Sequence, residues 1–188
     1  DVEFVDRFLK TLPDSVTWRP NAKVPVDVKE IEKDGIVASS DNFTVTAGTV
    51  EHINSMGFPC FGFRVDSKYG SVAISGDTQP CKGMVELAKN VDVLIHECAF
   101  LDEIIDERKM HGHSGPSGLG KVAAEAGAKK VVVTHLGPYT GYPKAIEMGS
   151  MYYGSGWGPE IWSKIVSDIR KYYDGPIVMG QDALTIEI

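Results

Sequence analysis

The sequence predicts an α/β protein in which short parallel strands alternate with helices. Three short apolar runs rich in valine and isoleucine are typical of strands covered on both faces: 72–74, 93–95 and 131–133. Helical patterns separate these runs, one over about 81–90 and one over 116–126. Because the order strand, helix, strand, helix, strand implies right-handed crossovers, we expect the three strands to lie parallel in one sheet.

The second helix has the clearest signals. Apolar residues recur at i, i+3, i+4 and i+7 from Leu119 to Ala126, which makes one apolar stripe. Pro116 suits the first helical turn and Gly127 suits the stop. The first helix rests on a weaker signal, since the run from Cys81 to Asn90 contains several apolar residues and, after Gly83, neither glycine nor proline.

The flanking segments extend this pattern in both directions. Before the parallel strands we expect a helix over 4–12, an antiparallel meander over 24–54 and a hairpin of 61–65 with 71–75. After them we expect a helix over 159–173 and strands at 177–179 and 184–186.

Polar residues able to bind metal or move protons follow the three parallel runs. Asp77, Glu97 and His135 come just after them, and the carboxyl ends of parallel strands share one edge of the sheet. His113, in the loop before the second helix, is expected at the same edge. Taken alone, Asp77 also fits a turn or a helix cap, and His52, after a strand of the meander, also fits a structural histidine.

Glu97 is the hardest of these residues to explain structurally. A carboxylate directly after a buried strand needs a partner, and His96 or His113 could supply it. Of the two imidazoles in the sequence His111-Gly112-His113, we favour His113 for chemistry because it lies nearer the helix.

Composition bounds the class of protein. The chain has 188 residues, 43% hydrophobic and 24% charged, which is enough for one domain with a sizeable core. No apolar run approaches the roughly 20 residues of a membrane helix. The net charge of −7 disfavours a nucleic-acid substrate. The three cysteines form no CxxC pair, so neither a zinc knuckle nor a disulfide framework is indicated.

Segment 139–158 combines aromatic residues with glycine. Its pattern fits either an irregular satellite core or an aromatic wall for an aryl-bearing substrate, to which Tyr139, Tyr153 and Trp157 would contribute. The chain begins at Asp1 without a signal-like apolar segment, so we expect a processed chain or a part of something longer, and the compartment cannot be assigned.

Five short motifs in order resemble the metallo-β-lactamase superfamily. They lie at 50–52, 74–78, 94–97, 111–114 and 132–136. Within that superfamily the chain is most similar to the branch that holds tRNase Z, arylsulfatase-like hydrolases and cyclic-nucleotide phosphodiesterases. The ending Gly180 to Leu184 is similar to the final turn of the same branch.

The resemblance implies a four-layer αβ/βα sandwich with a dinuclear metal site, usually two Zn²⁺, with Mn²⁺ or Fe as alternatives. By matching positions, His52 would bind one metal, Asp77 would bridge both and His135 would bind the other. His113 would act on the leaving group or the developing oxyanion. Glu97 would orient an imidazole.

Two departures from the superfamily qualify this transfer. The ligand cluster HxHxDH occurs nowhere in the sequence, and the first half of the sandwich has no counterpart. We therefore expect residues 1–188 to supply the second half of one domain, with 139–158 as a substrate-side insertion. The other half would be a separate chain or a cleaved fragment, and the complete enzyme would be a homo-oligomer. Leu136-Gly137-Pro138-Tyr139 also differs from the Ser-x-Arg-Tyr type sequence of tRNase Z.

These features predict a metal-dependent hydrolase that attacks a small, aryl-bearing substrate with hydroxide on the metal. Cleavage of a sulfate or phosphate ester is the expected reaction, and hydrolytic displacement at an activated aromatic carbon is chemically possible. A tRNase Z-like endonuclease or phosphodiesterase is the nearest alternative. A non-catalytic partner subunit with the same fold is an alternative of another class.

Overall fold

The structure is a computed structural model that describes residues 29–52, 57, 59–108, 111–136 and 159–188. The chain divides into two compact units, Asp1–Glu32 and Lys33–Ile188. All the strands, helices and site residues described here belong to the second unit.

Three predictions lie outside the described residues. They are the helix over 4–12, the start of the meander near 26–28, and the segment 139–158 with Tyr139, Tyr153 and Trp157. These stay predictions.

One mixed sheet of seven strands organises the described residues, and its spatial order follows the order of the chain. The strands are β1 Gly35–Ser39, β2 Phe43–Val50, β3 Cys60–Ser67, β4 Gly70–Ile74, β5 Val93–Glu97, β6 Val131–Thr134 and β7 Ile177–Met179. The first four pair antiparallel, and β4 to β7 pair parallel. The predicted hairpin and the predicted parallel strands are therefore confirmed.

Four helices are described: α1 Lys82–Leu87, α2 Asp102–Arg108, α3 Pro116–Ala126 and α4 Pro159–Ile169. The bounds of α3 are those predicted, and Gly127 ends it in the left-handed conformation. The helices α1 and α4 are shorter than expected, and α2 was not predicted. Within the described part of the chain, no helix combines the length and apolar character of a bilayer crossing.

The core lies between one face of the sheet and the helices. Leu94 and Val131 on that face are fully buried, together with Met84 of α1, Leu119 of α3 and Ile169 of α4. Burying one such side chain stabilises the fold by roughly 1.5–3 kcal/mol. The opposite face is less covered by described residues: Ile74 is 40% exposed.

The predicted strand at 184–186 is wrong. These residues belong to no ladder of the described sheet. Ala183 has a φ of 60° and Leu184 donates its N–H to the carbonyl of Gln181, so a tight turn separates this segment from β7. Apolar residues at alternate positions resembled a strand, but the backbone turn decides where the chain goes.

The left-handed Ala183 yields a stability prediction. A left-handed L-residue costs roughly 1–2 kcal/mol, whereas glycine loses roughly 0.5–1 kcal/mol of additional chain entropy on folding. We expect Ala183→Gly to raise the free energy of unfolding by about 0.5–1 kcal/mol in urea titrations. The matched control is Ala124→Gly on the exposed side of α3, which should lower it by about 1 kcal/mol. Loss of stability in both variants would contradict this account.

Candidate metal centre

The topology gathers the predicted site residues at one edge of the sheet. Strand β2 is antiparallel to β3, and β3 to β4, so β2 runs in the same direction as β4, β5 and β6. His52, Asp77 and His135 each follow the carboxyl end of one of these strands, and Glu97 ends another. Residues distant in sequence therefore meet, as expected for ligand sites in parallel sheets.

Four side chains meet at this edge. His52, Asp77 and His113 each offer one donor atom, and these three atoms lie within 4.8 Å of one another. Nε2 of His135 lies 3.6 Å from Oδ1 of Asp77. The ring centroids of His52 and His135 lie 4.8 Å and 5.6 Å from that of His113. The predicted residues are thus brought into one cluster around Asp77.

The tautomer of His52 is set by the main chain. Nδ1–H of His52 donates to the carbonyl of Gly112 at 2.7 Å, which leaves the Nε2 lone pair free to bind a cation. Gly112 has a φ of 94°, a conformation that L side chains rarely adopt. The glycine between the two loop histidines therefore places the acceptor that orients His52.

Glu97 is a buried carboxylate whose hydrogen-bonding capacity is used by its surroundings. It is 1% exposed. Its oxygens accept bonds from the main-chain N–H groups of Thr78, Ala99 and Ser114 and from Nδ1–H of His113. The His113 bond is 2.9 Å long. Of the two partners considered from the sequence, the side chain of Glu97 takes His113, and Nε2 of His113 is left free.

His96 lies on the other face of β5. Its Nδ1–H donates to the carbonyl of Glu97 at 2.8 Å, and among the described side chains its Nε2 is a buried atom without a hydrogen-bond partner. Burial lowers the pKa of His96 to about 4, although the bond to the Glu97 carbonyl acts in the opposite direction. His96 is therefore a neutral core residue outside the cluster.

The buried His96 predicts a loss of stability in acid. Between pH 6.5 and 4 the unfolded chain binds a proton here that the folded chain does not, so unfolding becomes more favourable as pH falls. We expect about 2 kcal/mol of stability to be lost through His96 between pH 7 and pH 5, measured by denaturant unfolding. His96→Asn retains an N–H donor but does not titrate, and should lose about this much of the pH dependence. An unchanged pH dependence in that variant would assign the effect to other groups.

The backbone around the cluster is strained at one functional position. His135 has a φ of 49°, uncommon for a residue with a β-carbon, and its side chain is 50% exposed. Such outliers concentrate at sites where function fixes the conformation. The strain at His135 turns the chain at the end of β6, beside Asp77.

A cavity of about 440 Å³ adjoins His135. Ile95, Val132 and Leu136 give it apolar walls, and Gln181 and Asp182 lie among its polar lining residues. It offers space for part of a substrate next to the cluster.

The residues present fit a metal ion. Imidazole nitrogen and carboxylate oxygen are ligand types that Zn²⁺ uses. His52 supplies an Nε2 whose tautomer is already set for coordination, and Asp77 is 44% exposed and accessible. Exposed acidic groups alone would be weak support, but here a carboxylate lies among three imidazoles.

Sequence comparison places the chain in a family. Residues 6–136 match the Beta-lactamase superfamily domain. The chain belongs to the beta-lactamase superfamily. The match covers more than half of the sequence and includes His52, Asp77, His113 and His135.

Members of this superfamily similar to the chain include ribonucleases. Ribonuclease BN of Proteus mirabilis is 26% identical over 162 residues, covering 60% of this chain and 52% of that protein. Ribonuclease Z of Myxococcus xanthus is 32% identical over 117 residues, covering 62% of this chain and 32% of that protein. The chain thus spans about half or less of the length of these curated relatives.

A solved structure supports the fold of this superfamily. The metallo-beta-lactamase fold protein YhfI from Bacillus subtilis aligns with a TM-score of 0.58 and 19% identity, covering 80% of this chain and 51% of that one. The predicted metallo-β-lactamase fold is confirmed at this level.

Sequence reasoning missed two residues of the superfamily member's candidate site. They are Gly112, which orients His52, and Gln79, which bonds the N–H of Gly112. The adjacency of Gly112 to His113 was the one available signal, because the partner of a loop carbonyl cannot be read from spacing.

Proposed function

We propose that this chain carries catalytic and metal-binding residues of a metal-dependent hydrolase that cleaves a phosphate ester. The observation that carries the proposal is the cluster of His52, Asp77, His113 and His135, with His113 hydrogen-bonded to a buried carboxylate. A structural histidine has no need of a second and third imidazole around an accessible aspartate.

His52, Asp77 and His135 would hold the metal, with Asp77 shared where two ions are present. A divalent cation bound there, Zn²⁺ or alternatively Mn²⁺ or Fe, supplies a Lewis acid and lowers the pKa of coordinated water. The residues contribute pre-organisation: the Gly112 carbonyl directs Nε2 of His52 towards the cluster, and the strained turn at His135 presents its ring beside Asp77.

His113 and Glu97 would handle the proton. The carboxylate of Glu97 holds Nδ1–H of His113, so a proton on Nε2 can pass to the leaving-group oxygen as the ester bond breaks. Burial of Glu97 and its three main-chain N–H donors keep the ring from rotating. This dyad acts on the substrate, whereas the other three residues act on the metal.

The relatives favour a phosphodiester as the substrate. Two of them are ribonucleases, and one is 32% identical to this chain. The aryl-bearing sulfate or phosphate ester remains a finer possibility that rests on Tyr139, Tyr153 and Trp157, outside the described residues. The net charge of −7 runs against a long nucleic acid, so any RNA would be bound through local contacts.

We also propose that the remaining ligands come from a polypeptide carrying HxHxDH. Two metal ions need more ligands than the four clustered side chains offer. The exposed Ile74 on the second face of the sheet is consistent with a further layer there. The complete enzyme would form a homo-oligomer.

The test is zinc binding followed by hydrolysis, with the chain alone and with an HxHxDH-bearing partner. We expect zinc to bind near Asp77 and His135 and to support cleavage of a phosphodiester. Salt-dependent tRNA binding and RNA cleavage would select the nuclease, and turnover of an aryl phosphate ester without RNA binding would select the small-molecule enzyme. Absence of bound zinc, manganese and iron would instead favour a non-catalytic subunit.

A further inference from the structure

Gln79 joins two segments that both contact His52. Its side-chain Oε1 accepts a hydrogen bond from the N–H of Gly112 at 3.3 Å, and its Nε2 donates to Oε2 of Glu51 at 2.7 Å. Glu51 directly precedes His52, and Gly112 bonds the His52 ring. One carboxamide therefore connects the main chain before His52 to the loop that sets its tautomer.

The side chain of Gln79 adds to a contact that the backbone already makes. The N–H of Gln79 donates to the carbonyl of Glu51 at 2.7 Å, which forms an isolated bridge at the edge of the sheet. This bridge holds residue 79 in place without the carboxamide. The two further bonds instead reach across to Gly112, which lies 33 residues later in the chain.

Only a carboxamide satisfies both neighbours at once. Gly112 offers an N–H and needs an acceptor, whereas the carboxylate of Glu51 needs a donor. A glutamate at position 79 would accept from Gly112 but would repel Glu51. An apolar residue of the same length would bond neither.

We propose that Gln79 is a positioning residue for metal binding, which holds the Gly112 carbonyl against Nδ1 of His52 and so presents the Nε2 of that ring. The inference rests on the proposed function, in which His52 is a ligand. Loss of partners that orient a metal-binding histidine typically weakens metal affinity by 10–100-fold.

Charge and geometry make opposite predictions for Gln79→Glu. The added negative charge alone would strengthen cation binding, because opposite charges attract. The positioning role predicts weaker zinc binding, by about 10–100-fold, measured with Zn²⁺ alone by competition against a chromogenic chelator. Gln79→Met, which removes both hydrogen bonds at constant charge, should weaken binding to a similar extent.

The exchanged pair Gln79→Glu with Glu51→Gln is the matched control. It has the net charge of the natural chain, and its two hydrogen bonds can form again with the donor and acceptor reversed between positions 51 and 79. We expect zinc affinity within about threefold of the natural chain. If the exchanged pair binds zinc as weakly as Gln79→Glu, the carboxamide bridge is not the cause and the inference is overturned.

A readout without metal separates this inference from the proposed function. In the metal-free protein, ¹⁵N shifts of the His52 ring should report the Nδ1–H tautomer in the natural chain and in the exchanged pair, and a tautomer mixture in Gln79→Met. A Gln79→Met protein that retains both the tautomer and the zinc affinity overturns the positioning role and leaves the hydrolase intact. Failure of the natural chain to bind zinc overturns the hydrolase, while the tautomer comparison still decides the role of Gln79.

Discussion

Asp77→Ala is expected to abolish tight zinc binding and hydrolysis together. The Asp77 carboxylate lies within 4.8 Å of donor atoms on His52 and His113 and 3.6 Å from Nε2 of His135, so it is the common neighbour of all three imidazoles. Removing it eliminates the negative charge that offsets the cation, and we expect zinc affinity to fall by at least about 100-fold. Elemental analysis after dialysis and a chelator titration measure the loss.

The folded chain should survive this change. Asp77 is 44% exposed, and exposed substitutions usually change stability by no more than about 0.5 kcal/mol. Asp41→Ala is the control: Asp41 is an exposed aspartate in the turn before β2, at the opposite edge of the sheet. Unaltered zinc binding in the folded Asp77→Ala protein would exclude Asp77 as a ligand.

His113→Ala is expected to slow turnover by about 10²–10⁴-fold while zinc stays bound. The physical reason is the bond from Nδ1–H of His113 to Glu97, which leaves Nε2 to carry a proton towards the leaving group. His52, Asp77 and His135 remain to hold the ion. Single-turnover rates and zinc content, measured on the same preparation, separate the two effects.

The comparison of these two variants assigns His113. His111→Ala is the matched control, since His111 is the exposed histidine of the same loop and should change neither rate nor zinc content appreciably. If His113→Ala and Asp77→Ala lose zinc to the same extent, His113 is a metal ligand and its assignment as the acid is wrong.

Local patterns predicted the architecture well where one signal dominated. The valine- and isoleucine-rich runs gave β4, β5 and β6, and the stripe between Pro116 and Gly127 gave α3. Helix α2 was missed because its short apolar content sits within a charged run, and the segment 184–186 was misassigned because the turn at Ala183 cannot be read from alternation.

The candidate site was predictable as a set of residues but not as a network. Strand direction alone brings Asp77, Glu97 and His135 to one edge. The choice between His96 and His113 as partner of Glu97 followed from the pleat, which places adjacent side chains on opposite faces. The bridge made by Gln79 joins segments far apart in sequence and has no signature in the sequence.

The most direct test of the metal centre is the anomalous scattering of crystals of this chain grown with Zn²⁺. The account predicts an anomalous peak about 2.0–2.2 Å from Nε2 of His52 and from a carboxylate oxygen of Asp77, with His135 beside the ion or bound to a second one. Zinc bound elsewhere, with these side chains unligated, would contradict it.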